Sequence, residues 1–101
     1  MDAEYFKNQI CDELCGAKDY IKKAIELKPM NITWSKTLME MSATELSHAT
    51  NLYKMFIEYY DIMAKKYEEV PDYLQEIRSD IIDCYAEKSA LVKTLHEMYS
   101  K

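Results

Sequence analysis

TWSKTLMEMSATELSHATNLYKMFIEYYDIMAKKYEE, residues 33–69, lies inside the longest run of the sequence that holds neither Gly nor Pro. Within it Trp34, Leu38, Met41, Glu45, His48, Leu52, Met55, Tyr59 and Met63 recur at alternating intervals of four and three residues. That is the spacing of a and d positions in a helix that buries one seam. A strand would instead alternate at every second residue. The segment therefore reads as one long amphipathic helix, interrupted in its seam by two polar side chains, Glu45 and His48.

Working outward, Pro29 and Pro71 flank this segment and are the only prolines. Proline removes a backbone donor and disfavours helix in the residue before it, so the two divide the chain into three helices. The spacing predicts them at about residues 2–27, 33–69 and 71–100. Asn31 or Thr33 is placed to cap the second, and Pro71 or Asp72 to open the third. The first helix has an apolar stripe of Phe6, Ile10, Ala17, Tyr20, Ile21 and Ala24. The third has Leu74, Ile77, Ile81, Cys84, Tyr85, Leu91, Val92, Leu95 and Tyr99, with Lys88 inside it. The expected fold is all-α and a single domain, an antiparallel hairpin plus a third long helix.

Composition agrees with this class. Of 101 residues, 49% are apolar and 31% charged, the balance of a chain that folds around one core. The net charge of −5, with only Lys22-Lys23 and Lys65-Lys66 as adjacent basic pairs, argues against nucleic acid as the partner, because phosphate binding draws on clustered Lys and Arg. No apolar run reaches the ~18 residues of a membrane span, and Met1-Asp2-Ala3-Glu4 lacks the layout of a signal peptide. A cytoplasmic protein without a membrane partner is expected. Cys11, Cys15 and Cys84 contain no Cys-x-x-Cys and read as reduced thiols, Cys84 in the core. His96 sits at the edge of the third stripe and reads as a surface histidine.

The residues that break the stripes carry the functional question. Glu13 falls between Ile10 and Ala17 on the first helix, and Glu45 and His48 fall in the seam of the second. An ionised carboxylate taken out of water needs a counter-charge or a cation. Glu13 precedes Pro29 by sixteen residues and Glu45 follows it by sixteen, so an antiparallel hairpin sets them level. On the same count Ile10 faces His48 and Ala17 faces Met41, the small Ala17 leaving room for the cluster. Glu45 and His48, three apart, project from one helical face. Two carboxylates and an imidazole suit iron, manganese or zinc. One metal ion per chain is a further reading of the same residues. The competing account is a structural network closed by Lys88, whose ammonium would satisfy the carboxylates without metal.

Glu13 together with Glu45-Leu46-Ser47-His48 resembles the ferritin-like di-iron superfamily, whose full-length members take one Glu and one Glu-x-x-His from each half of a four-helix bundle. With one such set in residues 6–60, the chain is similar in particular to half-ferritins of the encapsulated type, in which a hairpin pairs with its symmetry mate. The long third helix departs from that pattern. The resemblance implies a homodimer or higher homo-oligomer, two Fe per dimer, and Fe(II) oxidation of the ferroxidase kind. It makes Glu13 and His48 terminal ligands and Glu45 a bridging carboxylate. The alternative function is a non-enzymatic oligomerisation module in which Glu13, Glu45, His48 and Lys88 fix helix register.

Overall fold

A computed structural model describes residues 2–101, and its regular structure is entirely helical: α1 (Ala3–Leu27), α2 (Ile32–Ala64) and α3 (Asp72–Ser100). Each start has a local cause. The Asp2 carboxylate accepts from the Tyr5 N–H at 2.9 Å, and the Asn31 side chain accepts from the Trp34 N–H at 3.0 Å, each satisfying a donor that the first turn leaves free. Pro71 precedes α3, where its missing N–H costs nothing.

Helix α2 ends at Ala64, five residues short of the expected Glu69. Glu68 and Glu69 would lie against the negative end of the helix dipole, and Pro71 disfavours helix at Val70. With no apolar periodicity in Lys65-Lys66-Tyr67-Glu68-Glu69 to hold that turn, the chain leaves the helix early.

The molecule is an elongated bundle of 58 × 20 × 16 Å with α1 in the middle. Seven α1 residues are buried: Ala3, Phe6, Ile10, Leu14, Ala17, Ile21 and Ala24. Leu14 belongs to this core although the sequence stripe omitted it, and Tyr20 lies at its margin. Burying a Leu or Ile fully stabilises by about 1.5–3 kcal/mol, so α1 supplies much of the core energy. Helix α3 runs parallel to α1, with Lys7 beside Asp80, Cys11 beside Cys84 and Cys15 beside Lys88, every pair 73 positions apart. Leu91, assigned to the third stripe, is 43% exposed, while Ser89 is buried instead. Helices α2 and α3 meet more sparingly, through the stacked rings of Tyr53 and Tyr85 and through side-chain bonds from Ser35 and Ser42.

Helix α2 is rotated relative to its expected seam. The residues it buries are Ser35, Ser42, Ala49 and Phe56, seven apart. Ser42 Oγ donates to the Ala17 carbonyl and Ser35 Oγ to the Ala24 carbonyl, both at 2.6 Å. Hydroxyls satisfied on the facing backbone make these small polar residues suitable for a close helix pair. Ala17 therefore packs under Ser42 and not opposite Met41. Trp34, Met41 and Met55 of the apolar pattern stand 65%, 39% and 44% exposed, and Ile62 beside them 58%. The seam read from sequence is thus split: Trp34, Met41 and Met55 face solvent, whereas Leu52, Tyr59 and Met63 pack against the core and Glu45 and His48 turn toward Glu13 of α1.

Candidate metal centre

Glu13, Glu45 and His48 come together. One ligand atom from each lies within 4.8 Å of the others, and among the described residues they form the only such group of three His, Cys, Asp or Glu side chains. Glu13 reaches the site because the α1 core positions Ile10, Leu14 and Ala17 leave it on the edge facing α2. Glu45 and His48 reach it from one face of α2. The antiparallel hairpin makes the two edges meet.

The electrostatics are those of an unsatisfied anionic cluster. Glu13 Oε2 is shielded from solvent and has no hydrogen-bond partner. Its nearest positive candidate, His48 Nδ1, is 3.5 Å away, too far for a strong bond, and the imidazole is 53% exposed. A hydrogen bond shared with Glu13 holds the Glu45 carboxyl above its ordinary value of 4.5; burial and the Glu13 charge add to this, and His48 offsets part of it. The close carboxylates thus favour a proton on Glu45, or another cation in its place. Oxygen and nitrogen ligands at ~2.0–2.2 Å from one ion stand about 3 to 4 Å apart. A small closure of this group is enough to reach that geometry.

Space for the Glu45 carboxylate comes from the sole glycine of the chain. A Cβ on Gly16 would lie 3.3 Å from Glu45 Oε2 and 3.6 Å from Cδ. Sequence reasoning assigned the room to Ala17 and passed over Gly16, although a lone Gly three residues from Glu13 inside a helix was a signal. Beside Glu45, a shallow cavity of about 290 Å³ opens between Thr37, Glu40, Met41 and Thr44. An apolar one of about 300 Å³ follows at Leu27, Trp34, Thr37 and Leu38.

Lys88 does not close the cluster. Its ammonium donates to Cys15 Sγ at 3.7 Å on the α1–α3 seam, and the ion pairs among the described residues join it to neither Glu13 nor Glu45. Cys15 lies about 200° round α1 from Glu13, which puts Lys88 on the wrong side. The expected surface histidine is also corrected: His96 is half-buried, with Nε2 2.8 Å from Ser42 Oγ. The Ser42 proton is committed to the Ala17 carbonyl, so His96 donates from Nε2. Burial lowers its pKa from the ordinary 6.5.

Comparison with protein-family models, curated proteins and solved structures gave no match.

Proposed function

We propose that this chain is a di-iron carboxylate protein in which two copies join to form one site and oxidise Fe(II), as a ferroxidase does. The observation that carries the reading is Glu13 Oε2, shielded from solvent beside Glu45 and His48 and without a hydrogen-bond partner. A buried carboxylate oxygen without a partner is costly, and a divalent cation removes the cost. Iron is favoured, with manganese and zinc sharing the same ligand preference.

Three ligands from one chain leave coordination positions open. The α2 face that bears Glu45 and His48 also bears the exposed Trp34, Met41, Met55 and Ile62, spaced by multiples of seven. A second copy placed by a twofold axis near Glu45 covers that stripe and brings a second Glu13, Glu45 and His48. The two hairpins then make a four-helix bundle, with α3 of each copy outside it. In it, Glu13 and His48 would each serve as a ligand to one ion, and Glu45 would be the carboxylate available to both. Iron bound by these residues would supply the electrons that dioxygen or peroxide takes up. The second reading, an oligomerisation module without metal, is favoured by the exposed stripe alone.

The test is metal analysis with sedimentation on wild type and Glu45→Gln. One iron per chain in a dimer, with Fe(II) oxidation lost in Glu45→Gln, is the expected result. One metal per dimer points to a mononuclear site. A dimer with no metal and no oxidation leaves the module. A monomer at all concentrations with iron present removes the shared site.

A further inference from the structure

Helices α1 and α3 bring three thiols and one ammonium to a seam remote from the carboxylates. Cys11 Sγ and Cys84 Sγ are 3.1 Å apart, about 1 Å more than the ~2.05 Å of a disulfide. Both are half-buried, while Cys15, one turn along α1, is exposed. Lys88 Nζ lies 3.7 Å from Cys15 Sγ. Next to this group on the same seam, Lys7 pairs with Asp80 at 3.2 Å. The parallel register that sets one pair sets them all, so the two sulfurs are held together by the helix packing itself.

We infer that Cys11 and Cys84 form a redox-active dithiol, which a low-molecular-weight disulfide oxidises to a bridge between α1 and α3. This inference is independent of the metal reading. Burial, with the neighbouring Cys11 thiol, pushes Cys84 up to about 11, so it is a protonated thiol at neutral pH and the slower nucleophile. Of these two, Cys11 therefore reacts first. Its thiolate attacks one sulfur of RSSR, breaking that S–S bond; RS⁻ leaves and takes up the proton that Cys11 gave to solvent. Cys84 then loses its proton to solvent, and its sulfur attacks Cys11 Sγ in the mixed disulfide. The second RS⁻ leaves and is protonated. Two protein thiols and one RSSR become one Cys11–Cys84 disulfide and two RSH. The protein has lost two electrons and two protons. The Lys88 charge offsets part of the rise at Cys84, and Cys15 takes no part in the bridge.

The experiment treats the reduced, metal-free full chain with oxidised glutathione and follows titratable thiols, peptide masses and melting. Thiols should fall from three per chain to one. A fragment joining residues 11 and 84 should appear, and the melting point should rise by about 10 °C or more, since the bridge closes a long loop. Dithiothreitol should reverse all three. Cys15→Ser should keep the bridge, whereas Cys84→Ser should stop at a mixed disulfide on Cys11. Three thiols persisting at equilibrium, a link made through Cys15, or a stable mixed disulfide on Cys11 of wild type would each overturn the assignment.

Discussion

Replacing Gly16 with Ala should move apo stability and metal binding in opposite directions. In the interior of α1 a Gly costs about 1 kcal/mol relative to Ala, so the variant gains that much if nothing else changes. The added Cβ meets Glu45 Oε2 at 3.3 Å and Cδ at 3.6 Å. A carboxylate end can yield by a few tenths of an ångström, and little of the gain is then spent. The same displacement exceeds the ~0.2 Å tolerance of a metal–ligand distance. A ten- to hundredfold loss of affinity is the expected scale for a disturbed ligand support. By linkage, the stabilisation given by excess metal should shrink by about 1.4 to 2.7 kcal/mol. Urea unfolding of wild type and Gly16→Ala, with and without anaerobic Fe(II) or with Zn(II), measures both. An unchanged metal increment in the variant would show that Glu45 does not bind the ion where this geometry places it.

Two further outcomes are expected. Met55→Lys puts a charge on a half-exposed α2 position, so monomer stability should change by no more than about 0.5 kcal/mol. Dimerisation should weaken at least tenfold in sedimentation, because the twofold buries two unpaired ammonium groups; an unaltered dimer would place the interface elsewhere. The pKa of His96 is lowered by burial from 6.5, so its contribution to stability is complete above pH 6.5 and is lost as pH falls below it through the folded value. His96→Gln should flatten urea stability against pH in that window relative to wild type, and parallel curves would contradict the assignment.

The three helices and their breaks were legible because they depend on local chemistry. Pro29 and Pro71 bound the three segments, Asn31 caps the second, and a period of three and four residues marks each helix as amphipathic, although α2 ends at Ala64 before the proline is reached. The meeting of Glu13 with Glu45 was legible for a related reason. Once two helices are joined by a short turn, residues equally far from it must lie level, whatever fills the interface.

Which side of each helix meets which neighbour was decided by tertiary structure. Helix α2 carries two stripes, a large apolar one at Trp34, Met41 and Met55 and a small one at Ser35, Ser42 and Ala49. Hydrophobicity alone favours burying the large one. Close approach to α1 needs the small one, and the carbonyls of Ala17 and Ala24 satisfy the serine hydroxyls. That rotation turned Trp34, Met41 and Met55 outward, left Gly16 under Glu45, and drew His96 inward to Ser42. The placement of Lys88 with the cysteines followed from the parallel register of α1 and α3. A sequence fixes the spacing of residues along one helix, but the angle at which two helices face each other depends on side chains of both at once.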